Sequence, residues 1–263
     1  MMHLFDEDMA RSLSSPLGFK TEVTRNWSIN GNPNGGYLMA LAANAMSDRS
    51  GKKSLIISTA SYLSRCIPGN ADILVERIGL SKSFDRWQAR LVQDGKEIVR
   101  AMGTFMDNPT GAKEKRYEKS APDLAKVEDC IQIPPMGEYT LYNEMDVRLD
   151  PRCAGWFQGN LIDISEHSGW LRFQNDRPWD TPAILLAADS FPPPVFASQG
   201  LIAWVPTIEF SVNIRHIPTT RWLKCIFRTQ FIHNDILEED GEVWDENDEL
   251  VAVSRQIAQF RKK

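Results

Sequence analysis

The order of apolar and polar positions predicts one buried helix and about five strands in the first half of the chain. Residues 30–46 begin with a turn of Asn, Pro and Gly and continue as small or apolar residues on nearly every side of a helix. Mixed β-branched and aromatic segments predict strands at 19–29, 55–63, 73–78, 87–92 and 98–106. Asp94-Gly95 predicts a hairpin between the last two strands.

The same order of predicted elements returns in the second half. A strand at 169–173 precedes a helix at 183–190, which starts at the capping residue Asp180 and ends before the prolines at 192–194. Strands at 207–214 and 222–231 follow, and then a hairpin of 243–244 with 250–260. The tetrapeptide RHIP at 215–218 matches RCIP at 65–68, an offset of about 150 residues. The pattern therefore predicts two copies of one α+β unit.

A charged, proline-bearing segment separates the two copies and predicts a linker. The predicted division is a first unit at 1–107, a linker at 108–136 and a second unit at 137–263. The basic run at 113–119 is interpreted as a solvated face of that linker.

Composition narrows the class of protein. The 263 residues are 42% hydrophobic and 25% charged, as in ordinary globular proteins, and the net charge of -5 argues against a nucleic-acid partner. Four widely spaced cysteines form no CxxC pair, which fits a reducing compartment better than a disulfide framework or a metal site. The acidic N-terminus lacks the apolar core of a secretion signal, and no apolar run reaches the roughly 18 residues of a membrane span. We therefore expect a cytoplasmic protein without a membrane span.

Several segments resemble a known family. The second-half segments LLAADSF, PTIEFSVNIRH and LVAVSRQIAQF resemble the three segments that carry the active site of type-II acyl-CoA thioesterases. The first-half segments PNGGYLMALAA, FDRWQARLVQDG and IVRAMGTF resemble the broader thioesterase-like relatives. The resemblance implies an α+β fold, the double hotdog, in which each of two repeats wraps an antiparallel sheet around a central helix.

The resemblance also assigns three catalytic residues. The family's aspartate falls on Asp189, its threonine on Thr207 and its glutamine on Gln256. A carboxylate can deprotonate a water that a hydroxyl and an amide hold in place, which suits thioester hydrolysis. Each residue has a structural alternative: Asp189 capping a neighbour or facing solvent, Thr207 as an ordinary strand former, and Gln256 as a solvent-facing polar residue.

Substrate contacts follow from the same resemblance. The backbone N–H groups near Asn34, Gly35 and Gly36 would face the thioester carbonyl, unless the glycines only form the entry turn of the helix. Tyr37, Leu38 and Leu186 would line an apolar tunnel for the acyl chain. Because the first helix carries no internal carboxylate, we expect one hydrolytic site per chain. The resemblance implies no metal and no other cofactor.

The predicted function is hydrolysis of an acyl-CoA, or a related acyl thioester, in fatty acid metabolism, by a protein that forms a homo-oligomer. One alternative is a non-catalytic acyl-CoA or lipid-binding protein on the same fold. Another is an acyl-thioester dehydratase, which the four scattered histidines disfavour because none lies in a predicted buried helix. The acidic clusters at 238–240 and 245–248 lack calcium-loop spacing and are interpreted as solvated turns.

Overall fold

A computed structural model describes residues 2–107 and 115–262 of the chain, and these residues form a large antiparallel sheet with short and long helices packed against it. The helices of the described residues are α1 Leu4–Asp8, α2 Gly35–Ser47, α3 Leu141–Glu144, α4 Thr181–Ala187 and α5 Val195–Gln199, with 3₁₀ turns at Val127–Asp129 and Gly155–Gln158.

Strands make up most of both halves. The first half contains β1 Arg11–Ser15, β2 Gly18–Val23, β3 Ser28–Ile29, β4 Asn32–Pro33, β5 Ser54–Tyr62, β6 Gly69–Leu80, β7 Asp85–Gln93 and β8 Lys96–Met106. The second half contains β9 Ile131–Gln132, β10 Met145–Leu149, β11 Ser165–Phe173, β12 Ala203–Trp204, β13 Thr207–Ile214, β14 Leu223–Thr229, β15 Ile232–His233, β16 Ile236–Asp245, β17 Leu250–Gln259 and β18 Arg261–Lys262.

The two halves share one strand order and one sheet. The order β2-β6-β7-β8-β5 in the first half corresponds to β11-β14-β16-β17-β13 in the second, and all neighbours are antiparallel. The two copies join where β5 pairs with β13. This repetition confirms the prediction of two copies of one unit, which is the arrangement of a double hotdog.

The two principal helices lie against each other on the inner face of this sheet. Asn34 caps α2, Asp180 caps α4, and the Asp180 carboxylate accepts the N–H of Ala183 at 2.9 Å. Packing between the sheet and α4 buries nearly all of α2, as its apolar composition predicts. The start of α2 consequently lies beside the end of α4.

Local turn chemistry explains the hairpin of the first half. Asp94 and Gly95 both have positive φ, 49° and 75°, between β7 and β8. This conformation matches the twist of antiparallel strands and suits an Asp-Gly pair. The predicted hairpin is confirmed.

Some predicted boundaries were wrong. The strand at 19–29 stops at Val23, because the chain then bends to bring Trp27 into the core and to bond the Thr24 N–H to the Tyr37 hydroxyl. The second helix ends at Ala187 instead of Ser190, and the last residues form tight turns in which Ser190 N–H bonds the Ala187 carbonyl.

The segment between the halves packs against the second half. Tyr117 meets Trp244 edge to face at 5.5 Å, and the Trp170 indole N–H donates to the Ala125 carbonyl at 2.8 Å. Residues 108–114 of the predicted linker, and the start of its basic run, lie outside the described residues. The predicted division into units at 107 and 137 stays a prediction.

Candidate active site

The start of α2 holds the side chain of Asp189. The Gly36 N–H donates to Oδ2 of Asp189 at 2.8 Å, and Nδ2 of Asn34 donates to the Asp189 backbone carbonyl at 2.7 Å. The Oδ1 atom of Asn34 accepts the Tyr37 N–H at 3.0 Å and caps the helix. A helix N-terminus favours negative charge, so this end of α2 stabilises the Asp189 carboxylate.

Close packing between the two helices requires glycine at position 36. A Cβ atom there would lie 2.5 Å from the Leu185 carbonyl oxygen and 2.8 Å from the Asp189 Cβ. Both distances are far below van der Waals contact, and the nearer atom belongs to the backbone. The glycine pair is therefore more than an entry turn, because it lets α2 approach Asp189.

Burial raises the pKa of Asp189 from its usual 3.8 to about 6, even though the N–H groups of Gly36 and Gly35 and the Asn34 amide oppose the shift. Protein surrounds the carboxyl group, yet the residue remains partly accessible to solvent. Asp189 does not lie inside the helix as predicted, since α4 ends two residues earlier. The solvent-facing alternative does not hold, but the carboxylate does accept an N–H at the start of the neighbouring helix α2, so the catalytic role of Asp189 stays a prediction.

Two tyrosines approach the same carboxylate. The Tyr62 hydroxyl, from β5, donates to the Gly35 carbonyl at 2.7 Å. Burial raises the pKa of Tyr62 and of Tyr142, from α3, and the negative charge of Asp189 raises both further. Sequence reasoning missed these tyrosines, since neither stands in a segment that distinguishes it from other core or strand positions.

Thr207 and Gln256 lie on the inner face of the sheet. Thr207 pairs with Ala258, and Gln256 lies two residues before Ala258 on β17. Side chains two residues apart on a strand share a face, as do directly opposite residues of antiparallel strands. In the described part of the chain no direct hydrogen bond joins Asp189 to Thr207 or Gln256. Gln256 is buried rather than solvent-facing, and its Oε1 atom has no partner among the described residues.

A second buried carboxyl group lies beside these residues. Glu239 stands directly opposite Gln256 across β16 and β17 and is only 8% exposed. Burial raises its pKa well above the usual range, and the charges of Asp189 and Asp240 add to the effect. The prediction of a solvated turn at 238–240 was wrong, because these residues belong to β16. The alternation of Leu237, Glu239, Gly241 and Val243 with acidic residues is the signal that could have shown it.

The predicted acyl-chain contacts are core residues. Tyr37, Leu38 and Leu186 are at most 3% exposed. The Tyr37 hydroxyl accepts the Thr24 N–H and donates to the Asp8 carbonyl, both at 3.3 Å. Their contact with an acyl chain stays a prediction.

The end of α2 and the start of α4 form a second site that is equivalent to the first by the repeat, but this second site has no carboxylate at the position of Asp189. Ala43 follows its helix cap by nine residues, as Asp189 does, and so occupies the corresponding position. The N-terminal segment packs here, where Arg177 binds Asp6 at 2.6 Å. A cavity of about 470 Å³ remains, lined by Phe5, Asp6, Met9, Ala10, Arg11, Asn44, Asp48, Arg177, Asp180 and Pro182.

No helix within 2–107 or 115–262 is long and apolar enough to cross a bilayer. Over the same residues, no group of three or more His, Cys, Asp or Glu side chains is arranged to hold a metal ion.

Both halves match family models. Residues 23–106 match the acyl-CoA thioesterase N-terminal domain, and residues 122–260 match the acyl-CoA thioesterase C-terminal domain. Among curated proteins, the chain is similar to the uncharacterized protein Rv0499 of Mycobacterium tuberculosis. The two are 26% identical over 297 residues, which covers 98% of each chain.

Solved structures show the same fold. A proposed thioesterase II from Thermobifida fusca superposes with a TM-score of 0.92 at 21% identity, covering 99% of this chain and 98% of that one. A hot dog protein of unknown function from Alicyclobacillus acidocaldarius superposes with a TM-score of 0.90 at 20% identity, covering all of both chains. The acyl-CoA thioesterase II TesB2 of Mycobacterium marinum superposes with a TM-score of 0.77 at 16% identity, covering 98% of each chain.

Proposed function

The chain belongs to the acyl-CoA thioesterase family and is a thioester hydrolase, and from this premise we propose that it hydrolyses an acyl-CoA with Asp189 as the general base. One observation carries the proposal. The Asp189 residue keeps partial solvent access, and its carboxylate is held by the start of α2 and has a pKa of about 6. A base with such a pKa is ionised at pH 7 and still accepts a proton readily.

Thr207 and Gln256 are proposed to hold the attacking water. Oδ2 of Asp189 accepts the Gly36 N–H, which leaves further lone pairs of the carboxylate to take the proton of the water. The Thr207 hydroxyl and the Gln256 amide lie on the sheet face towards the helices and can orient the water for attack on the thioester carbon. The products are a free acid and the thiol of CoA.

The start of α2 is proposed to serve the substrate as well. The Gly36 N–H, with Gly35 and Asn34, faces the Asp189 carboxylate before the reaction. As Asp189 takes the proton, its negative charge disappears and charge develops on the thioester oxygen. An oxygen placed beside the same N–H groups would then gain the stabilisation that Asp189 no longer requires.

We propose an acyl chain in the apolar interior near Tyr37, Leu38 and Leu186, and a role in fatty acid metabolism. The four cysteines are free and buried, which supports the reducing cytoplasm. Exposed apolar side chains at Leu74, Leu80 and Met102 support a homo-oligomer, which light scattering in solution would test.

Thiol release from a panel of acyl-CoAs tests the proposal. The Asp189→Asn variant should lose about 10²–10⁴-fold in kcat, which is the usual worth of a positioned base. Asp72→Asn, an exposed carboxylate paired with Lys20, is the matched control and should keep wild-type turnover. Equal turnover by wild type and Asp189→Asn would refute the assigned base. Saturable binding without thiol release would instead support the binding-protein alternative.

A further inference from the structure

The side-chain amide of Gln256 lies between two neighbours, the proposed attacking water beside Asp189 and the side chain of Glu239. Its Nε2 atom can serve one of them and its Oε1 atom the other. If Gln256 holds the attacking water as a donor, its Nε2 atom must point towards Asp189 and the water. The Oε1 atom then points towards the residue opposite in the sheet, which is Glu239. Among the described residues this buried oxygen has no hydrogen-bond donor. A buried acceptor left without a donor costs free energy, so a donor is expected at this place.

Glu239 is the side chain that can supply this donor. Directly opposite residues of antiparallel strands have Cβ atoms about 4.5–5.5 Å apart, which is within reach of two long side chains. No side-chain hydrogen bond of Glu239 is found in residues 2–107 or 115–262. A carboxyl group donates only when it is protonated.

The surroundings keep Glu239 protonated. Asp189 faces it from the segment after α4, and Asp240 is adjacent on its own strand. The inward-facing neighbours Gln256 on β17 and Thr229 on β14 are uncharged. Asp240 follows Glu239 on the strand, so its side chain points to the other face of the sheet, where it binds Arg255. The Arg255 guanidinium therefore does not compensate a negative charge on Glu239. Burial without a cation favours the neutral acid.

We propose that Glu239 is a positioning residue that donates its carboxyl proton to Oε1 of Gln256 and thereby turns Nε2 of Gln256 towards the attacking water. The inference rests on the proposed function. Glu239 does not touch the substrate, and its proton stays on the carboxyl group throughout the reaction.

Two substitutions separate this role from a merely structural one. Glu239→Leu removes the donor, and the loss of one neutral hydrogen bond should lower kcat about tenfold with little change in KM. Glu239→Gln replaces the O–H donor by an N–H donor and should restore kcat to within about threefold of wild type. Asp72→Asn, which removes an exposed carboxylate remote from this pair of strands, is the control and should leave kcat at neutral pH unchanged.

The pH profile gives a second readout. Above the raised pKa of Glu239 the wild type loses the donor and gains a charge beside Asp189, so kcat should fall at alkaline pH. Glu239→Gln cannot ionise and should lack this alkaline fall. This comparison holds even if Glu239→Leu fails to fold, which a thermal melt of each variant would reveal.

A double substitution tests whether Glu239 acts through Gln256. Glu239→Leu combined with Gln256→Leu should be no slower than Gln256→Leu alone. The inference is overturned if the two losses multiply, if Glu239→Gln is as slow as Glu239→Leu, or if Glu239→Leu matches the wild type at every pH. A folded wild type that releases no thiol from any acyl-CoA refutes the proposed function itself, which is a separate result.

Discussion

The Gly36 N–H and the Asp189 carboxylate, 153 residues apart in the chain, form a 2.8 Å hydrogen bond that joins the two halves of the protein at its candidate site. Neither half contains the site alone. The first half supplies the helix start and Tyr62, and the second supplies the carboxylate, Thr207 and Gln256.

Hydrolysis should slow as the pH falls through about 6. The pKa of Asp189 lies there because burial disfavours its charge, and the protonated acid cannot accept a proton from water. Measuring kcat/KM from about pH 3 to about pH 8 would show an acid limb near this value. A limb near the usual 3.8 would contradict the burial assigned to Asp189.

Asp189 should also make the protein less stable at neutral pH than in mild acid. Its pKa is raised in the folded state, so its favourable contribution is full below the unfolded value of 3.8 and is lost as the pH rises through about 6. The loss is on the order of 2–3 kcal/mol. Asp189→Asn should therefore melt at a higher temperature than wild type at neutral pH, with little difference near pH 4 by calorimetry. A destabilised variant at neutral pH would show that the charge is stabilising.

Gly36→Ala should damage the site with little room for relaxation. The new Cβ would lie 2.5 Å from the Leu185 carbonyl oxygen, so α2 and Asp189 must move apart. A shift of about 1 Å at a reacting group can lower the rate roughly a hundredfold. We expect a loss of this size in the rate of thiol release by Gly36→Ala. Gly51→Ala is the control, because the new Cβ atom would lie 3.8 Å from its nearest neighbour, Oδ2 of Asp85, which is ordinary van der Waals contact. This variant should keep full activity. Wild-type kcat for Gly36→Ala would show that the close approach is dispensable.

Phe5→Ala should destabilise the protein although sequence patterns gave α1 no part in the fold. Phe5 is fully buried against Trp27 and Phe173, with ring centroids 5.1 and 5.6 Å away, and the Arg177 guanidinium lies 4.8 Å from its ring centre. Truncating a buried phenylalanine costs about 3–5 kcal/mol, which denaturant unfolding would measure. Phe231, which is 70% exposed, gives the control Phe231→Ala, with an expected change within about 0.5 kcal/mol. Equal losses for both variants would argue against a core role for α1.

Sequence patterns predicted the features that depend on neighbouring residues. The Asp94-Gly95 hairpin, the Asp180 cap and the all-apolar surface of α2 each follow from local chemistry, and the structure confirms them. The resemblance supplied Asp189, but neither local pattern nor composition could show that Gly36 binds it. Tyr62 was missed for the same reason, since its contact with Gly35 joins two distant segments. Glu239 was missed because the acidic run was interpreted as a turn, and its place opposite Gln256 depends on the pairing of β16 with β17. Phe5 was missed because a five-residue helix is too short to leave a periodic pattern.

The pairing of β5 with β13 makes the molecule equivalent to a dimer whose two subunits share one polypeptide. In a dimer of identical subunits every mutation is inherited twice and alters both sites together. In a single chain a mutation alters one copy, so each copy is free to diverge. The two copies of this chain already differ in this way, because position 43 holds alanine where the corresponding position 189 holds aspartate, so a substitution at either end of the helix pair changes one end alone.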